Sequence, residues 1–392
     1  MDAYLYEALR TPRTKARENG SLAALPPSQL VSSLVAELGL RGLDTQHCEQ
    51  LILGCVGQIK AQGGNIALAS KLHAGLPDSC SAMTLNHYCV SGLSSIGVAA
   101  NACALGQQHL VLAGGVECMS QVPFMADKAA YYSDRCLPPR LRYMPVALSA
   151  DLLANKEGVS RAELNAVTAE SHRRAVCADD YQRSRVTIRD EAGTVLADSD
   201  ECIRAGSSEE QLATMPAAFA ELAGQYAEAI DGRTLEHVHS VANAPPMVDG
   251  AALAAIGGKS VSDVFSGIQP RARILGWTDA AADPVDSLTG GMAAMDKLLA
   301  AQKLRLADID RIEFMEAFAV VPVLFSRRYD VDQDKVNVSG GHLAKGHPMG
   351  ATGAVLLSTL CDVLEQDDKT LGLVVATGAG GVGSAMLIER LY

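Results

Sequence analysis

Positive charge is scarce in this sequence. Its 392 residues carry 33 Lys and Arg against 45 Asp and Glu, a formal net charge of −12. That sign argues against a protein that coats nucleic acid and against one that binds membranes through a cationic face. Aromatic residues make up only 4%, too few for platforms on which single-stranded bases stack. No Cys-x-x-Cys pair occurs, and ten cysteines in 392 residues are too dilute for a disulfide scaffold. The N-terminus shows no basic stretch followed by an apolar core and a cleavage site, so no secretory signal is visible. Long apolar runs are missing as well. The longest uncharged stretch, residues 79–116, is rich in Ser, Asn, Gln, His and Gly and reads as buried core rather than a membrane span. These absences point to a cytoplasmic, reducing setting in which thiols mostly act as small buried hydrophobes.

What is present is core material. Hydrophobic residues reach 48% and the chain exceeds what one small core needs. Three uncharged stretches stand out, residues 79–116, 346–361 and 371–388. The run Gly92-Leu-Ser-Ser-Ile-Gly-Val-Ala-Ala-Asn-Ala predicts a helix with no charged face, which must be covered all round. His109-Leu-Val-Leu-Ala-Gly-Gly and Leu371-Gly-Leu-Val-Val-Ala-Thr-Gly predict buried strands.

Set in order, these pieces repeat. Leu51-Ile-Leu-Gly, Met83-Thr-Leu-Asn, a buried helix and Leu110-Val-Leu-Ala-Gly-Gly are echoed by Ile309-Asp-Arg-Ile-Glu-Phe, Val336-Asn-Val-Ser-Gly-Gly, the His347 region and Leu373-Val-Val-Ala-Thr-Gly. Two copies of a strand–helix unit predict two similar α/β halves packed together. Between them, from about residue 120 to 241, Arg, Asp, Glu and Tyr become frequent. Ser160 and Glu163 have the spacing of a capping box, so a helix is expected to start there, with Leu164, Val167, Ser171 and Ala175 on one face. This segment is expected to lie over the mouth of the core, where ligand contacts are often carried.

Two residues could carry chemistry. Cys89 sits where a predicted strand meets a helix, so the helix's free N–H groups and dipole would favour its thiolate and stabilise an oxyanion. An inert buried thiol is the ordinary alternative. His347 lies in Gly340-Gly-His-Leu-Ala-Lys-Gly-His-Pro-Met-Gly-Ala-Thr-Gly, a glycine-flanked turn that would present one near-neutral imidazole into a cavity. A core or capping histidine and a phosphate-cradling loop are the other readings of that turn. Neither a Walker lysine nor a Gly-x-Gly-x-x-Gly after the first strand supports nucleotide binding. His237 and His239, with no third ligand in register, read as a surface strand rather than a metal site.

Ala8-Leu-Arg-Thr-Pro-Arg, Leu85-Asn-His-Tyr-Cys-Val-Ser-Gly, Ala113-Gly-Gly-Val-Glu-Cys-Met-Ser, Val248-Asp-Gly-Ala, Glu316-Ala-Phe-Ala and the long motif from Asn337 to Ala354 together resemble the thiolase family (acetyl-CoA acetyltransferase, 3-ketoacyl-CoA thiolase). The resemblance implies an α/β fold of five layers, αβαβα, built from duplicated halves. The halves would be residues 1–119 and 246–392, with a loop or cover domain at 120–245. It implies coenzyme A thioesters as substrates, no permanently bound cofactor or metal, no nucleic-acid or membrane partner, and a homodimer or homotetramer. Cys89 would be the acylated nucleophile and His347 its base. Thr377 falls where the family's second cysteine is expected, and Met315 where an asparagine orients a water in the oxyanion site. Gly380 would belong to the oxyanion region, and Ala317, Phe318 and Asn243 would touch substrate. Pro245 replaces a hydroxyl donor in the coenzyme loop. Three functions stay open: acyl transfer to or from a 3-ketoacyl thioester, acyl transfer to an acceptor that needs no enolate, and a degenerate supporting subunit.

Overall fold

The computed structural model describes residues 2–178, 182–259, 261 and 268–392. The strands are β1 (Ala3–Arg10), β2 (Thr14–Lys15), β3 (Gln50–Gly54), β4 (Ser81–Leu85), β5 (Leu110–Cys118), β6 (Ile188–Arg189), β7 (Val195–Ala197), β8 (Val248–Gly257), β9 (Ala272–Ala281), β10 (Arg311–Phe314), β11 (Leu371–Thr377) and β12 (Val382–Arg390). The helices that matter here are α1 (Pro27–Leu40), α2 (Ile66–Ala74), α3 (Ser91–Ala104), α4 (Val146–Glu157), α5 (Arg161–Ala178), α6 (Gly290–Gln302), α7 (Val320–Arg328) and α8 (Thr352–Gln366).

A duplication is present in the strand pairing, but β8 (Val248–Gly257), expected in a second half that begins at residue 246, pairs with β1 and β5 and so belongs to the first. β3 runs parallel to β5, β5 antiparallel to β8, and β8 antiparallel to β1. In the second half β10 runs parallel to β11, β11 antiparallel to β12, and β12 antiparallel to β9. The halves are hydrogen-bonded into one sheet where β1 meets β9, with Ala3 opposite Ile274 and Leu5 opposite Ala272. One element of the repeat is missing. β4 has no counterpart strand, because Val336 makes only an isolated parallel bridge to Ile312. Asn337 adopts a left-handed φ of 47° there, and its side chain accepts from the Phe314 N–H at 2.7 Å and donates to the Phe314 carbonyl at 2.8 Å. An amide side chain thus supplies the pairing that a strand would have made.

The layering follows from which surfaces are apolar. α3 is buried on nearly every side, as its uncharged sequence requires, and α8 is buried from Thr352 to Leu364. These two helices pack on each other and touch strands of both halves. α1 and α2 cover the outside of the first half and α6 the outside of the second, so the two halves of the one sheet, with α3 and α8 between them, give helix, sheet, helix, sheet, helix. Close approach at the centre depends on glycine. A Cβ at Gly92 would meet the Gly350 carbonyl at 2.8 Å, and one at Gly353 would meet Leu93 Cβ at 2.5 Å.

Between β5 and β8 the chain leaves the sheet as short helices, α4, α5 and the β6–β7 hairpin. The capping box is made: Ser160 N–H donates to the Glu163 carboxylate at 2.9 Å and α5 starts at Arg161. Leu164, Ser171 and Ala175 are buried on its inner face, and Val167 is half-buried. This excursion is pinned to β1 by charge. The fully buried Asp200 accepts from Arg10 at 2.8 Å and from Arg13 at 3.1 Å, which accounts for both arginines of the Arg-Thr-Pro-Arg segment.

Candidate active site

Cys89 stands on the turn from β4 into α3. The turn is held locally: Tyr88 N–H donates to Asn86 Oδ1 at 2.9 Å, and Ser91 Oγ accepts from the His87 N–H at 2.8 Å. Tyr88 is forced to a left-handed φ of 49°, which throws Cys89 toward the interior. The backbone N–H groups of Ala379 and of Cys89 itself lie on its sulfur's side and favour the thiolate. Burial outweighs them. Together with the Glu117 carboxylate, burial pushes the thiol up to about 12. The helix start therefore does not give the lowered thiol expected from sequence.

His347 follows Gly346, whose φ of 92° is left-handed and whose missing Cβ would lie 2.3 Å from Val248 Cγ1. The His347 N–H donates to the Pro246 carbonyl at 2.9 Å. Its Nδ1 is hydrogen-bonded to Thr352 Oγ1 at 2.6 Å, so Nε2 is the nitrogen left for the cavity. Burial, with the Arg13 charge second, drops the imidazole to about 3. His347 is a neutral base at physiological pH, not the near-neutral titrating group expected from sequence.

Both side chains line one cavity of about 420 Å³. Its wall is mostly apolar, and Pro245 and Pro246 contribute no N–H donor to it. The arrangement offers a thiol, an acceptor imidazole and two N–H donors, the components of nucleophilic acyl transfer.

Residues 4–255 match the thiolase N-terminal domain and residues 268–390 the thiolase C-terminal domain. The chain belongs to the thiolase family. It is 32% identical to a 3-ketoacyl-CoA thiolase of Marinomonas sp. (strain MWYL1), over all of this chain and 98% of the relative. It is also 32% identical to an acetyl-CoA acetyltransferase of Escherichia coli (strain K12), over 95% of each. The solved acetyl-CoA acetyltransferase of Bacillus anthracis superposes with a TM-score of 0.86 at 28% identity, covering 100% of this chain and 99% of that one. The thiolase fold is therefore shown.

Against that family the remaining candidates divide. This thiolase keeps Phe318 at the cavity wall, in a left-handed φ of 100° and edge-on to Phe219 and His239. Ala317 is buried and does not line the cavity. Asn243 is fully buried and its side chain is fully used. It donates to Asn165 and Thr168 at 3.1 Å each and accepts from the Ser240 N–H and hydroxyl. Its carbonyl instead holds the Ala319 N–H at 2.9 Å, so Asn243 shapes the loop behind Phe318 rather than reaching substrate. Gly380, at φ 71°, donates its N–H to Ser287 Oγ at 3.0 Å. Its neighbour Ala379, not Gly380, lines the cavity and has the N–H that favours the Cys89 thiolate.

Thr377 and Met315 meet each other. The Thr377 N–H points at Met315 Sδ at 3.3 Å, and the Thr377 hydroxyl is buried without a partner among the described residues. Neither lines the cavity. His237 and His239 are not a surface strand: both Nδ1 atoms bond the buried Asp151, at 2.9 and 2.7 Å, and His239 is fully buried. Sequence reasoning missed Thr352, Ala379 and Arg13. Thr352 was findable, since it lies in the same Gly-Ala-Thr-Gly stretch. The roles of Ala379 and Arg13 depend on segments far apart in the chain.

Proposed function

We propose that this thiolase transfers acyl groups to and from coenzyme A through an acyl-enzyme on Cys89, with His347 as base. The observation that carries the reading is that the thiol, the free imidazole nitrogen and the Ala379 and Cys89 N–H groups converge on one cavity. With 3-ketoacyl-CoA, His347 takes the thiol proton as Cys89 sulfur bonds to the 3-keto carbon. The bond between C2 and C3 breaks, and the carbanion of the departing acetyl-CoA takes a proton. Thr377 is off the cavity, so the donor in this reading is the imidazolium just formed on His347: the proton that leaves sulfur arrives at carbon. His347 then takes the proton of coenzyme A, whose sulfur bonds to the acyl carbon as the bond to Cys89 sulfur breaks; the proton passes from His347 to Cys89, and the shortened acyl-CoA leaves. A base that starts neutral and a thiol that starts protonated suit this cycle, because charge exists only while the reaction proceeds.

Intact-protein mass spectrometry after acetyl-CoA addition tests the reading. An acyl adduct that disappears in Cys89→Ser supports it, and no adduct on the wild type overturns it. The same adduct argues against a purely supporting subunit, which has no use for an acylated thiol.

Thr377 and Met315 favour a second reading, in which the acceptor is a nucleophile that needs no enolate. Thr377→Cys decides between them. If carbon–carbon cleavage is limited by the missing second thiol, the variant cleaves acetoacetyl-CoA at least about tenfold faster than wild type, as expected for gaining a general acid–base group. No gain leaves His347 as the sole proton carrier.

Residues 120–245 act, in this proposal, as the cover of the cavity. The chain is further taken to be cytoplasmic and a homodimer or homotetramer. No helix among the described residues is long and apolar enough to cross a membrane. Strand β4 lies at the end of the sheet, hydrogen-bonded on one side only, to β3, and carries the exposed Met83. Sedimentation would give a monomer if this is wrong.

A further inference from the structure

Rings are rare in this chain but gathered at one place. Three of the six phenylalanines (Phe124, Phe219, Phe318) and three of the ten tyrosines (Tyr88, Tyr132, Tyr143) line the cavity that holds Cys89. The tyrosines form a bank. Tyr132 and Tyr143 lie 4.5 Å apart at a tilt of 46°, Tyr226 packs on Tyr143 from behind, and Tyr88 is joined to the nucleophile by one peptide bond. Such a bank offers ring faces and edges to a ligand, contacts that a flexible alkyl chain exploits less well than a planar ring.

The bank also limits length. Tyr88, Tyr143 and Ala379 line both this cavity and a second one of about 30 Å³, whose far side carries Arg140, Arg142 and Arg233, so the three shared residues stand between the two. A long straight chain would have to displace them, whereas a short, wide group would not. Charge is restricted too. No Lys or Arg lines the main cavity, and Asp127 does. Its carboxylate accepts from the Tyr132 hydroxyl at 3.1 Å and would repel an acyl group that ends in a carboxylate.

We propose that the acyl group transferred through Cys89 is short, uncharged and carries an aromatic ring, stacked on Tyr132 and Tyr143. This rests on the acyl-enzyme reading above and adds the substrate class to it. The step is balanced: Cys89 sulfur bonds to the thioester carbonyl carbon, the carbon–sulfur bond to coenzyme A breaks, and the thiol proton passes through His347 to the released coenzyme A.

The test compares first-order acylation of Cys89 by phenylacetyl-CoA, octanoyl-CoA and succinyl-CoA, with acetyl-CoA alongside, by rapid-quench intact mass. Phenylacetyl and octanoyl carry the same number of carbons, so size is held nearly constant. Phenylacetyl transfer is expected to exceed octanoyl by about tenfold, the scale of one or two ring contacts, and succinyl is expected to be slowest. Tyr143→Leu should collapse the phenylacetyl-to-octanoyl ratio toward one, and Tyr143→Phe should keep it. Asp127→Asn should raise the succinyl rate relative to the other two. Octanoyl or succinyl equal to or faster than phenylacetyl, with acetyl-CoA still labelling Cys89, overturns this inference alone. A ratio unmoved in Tyr143→Leu does the same. If no thioester labels Cys89, the acyl-enzyme reading falls and this inference with it.

Discussion

Alkylation of Cys89 in the resting protein distinguishes a neutral thiol–imidazole pair from a preformed thiolate–imidazolium pair. Burial holds the thiol up to about 12 and the imidazole down to about 3. Between about pH 5 and 9 both groups are therefore uncharged. A thiol so raised is on the order of 10⁻⁵ thiolate at pH ~7, against a few per cent for an ordinary thiol near ~8.5. That difference is roughly three-thousand-fold. The more basic thiolate is intrinsically the better nucleophile, and a Brønsted slope of ~0.45 recovers about thirtyfold. Cys89 should thus react with iodoacetamide about a hundredfold more slowly than a free cysteine peptide at pH ~7. Its rate should climb about tenfold per pH unit through pH ~9 with no plateau. The assay is peptide-resolved mass spectrometry of timed alkylation over a pH series. Restricted access through the cavity lowers every rate equally and leaves the slope alone. A plateau between about pH 6 and 8, or a rate at neutral pH matching the peptide, would refute the reasoning and mean that the Ala379 and Cys89 N–H groups outweigh burial. His347→Ala should leave this slope unchanged while reducing acylation by acetyl-CoA on the order of 10² to 10⁴-fold.

Thr352 should behave as a positioning residue. Thr352→Val removes the 2.6 Å bond to His347 Nδ1 and should slow Cys89 acylation about tenfold, the scale of one such bond, with Thr352→Ser restoring it. His172 gives a pH signature of folding. Burial and then Arg204 lower it to about 4, whereas in the unfolded chain it takes a proton below ~6.5. Its contribution to stability is whole above pH ~6.5 and declines as pH falls, by about 1.4 kcal/mol per unit, until pH ~4. Denaturant titrations of His172→Gln should therefore lose about 3 kcal/mol of the wild type's stability change between pH ~7 and 4; parallel profiles would contradict the burial argument. Gly97 faces the single tryptophan, and a Cβ there would lie 2.0 Å from Trp277 Cδ2. Gly97→Ala should cost about 1–3 kcal/mol by overpacking and shift the tryptophan emission, because the ring must move; unchanged emission would mean that the helix moves instead.

Much of the framework was legible locally. A helix with no charged residue from Ser91 to Ala104 could only be central, and the Ser160–Glu163 spacing placed a helix start that the chain makes. The order of the uncharged runs disclosed the duplication. Its one failure, the strand expected at Val336, arose because the Asn337 side chain does the pairing with Phe314. Side-chain substitution for a ladder leaves no trace in hydrophobic period. Likewise, Asn243 sits in a motif that implies substrate contact, but its amide is consumed by Asn165, Thr168 and Ser240.

The amino-acid order by itself determined which elements form and that Cys89 and His347 are set on turns before buried helices, since period, caps and glycines act over a few residues. Only the tertiary structure decided how those two groups titrate, which N–H reaches the sulfur, and which rings wall the cavity. Those properties depend on solvent exclusion and on atoms brought in from Ala379, Pro246, Arg13 and Tyr143, none of them near in the chain to the group they affect.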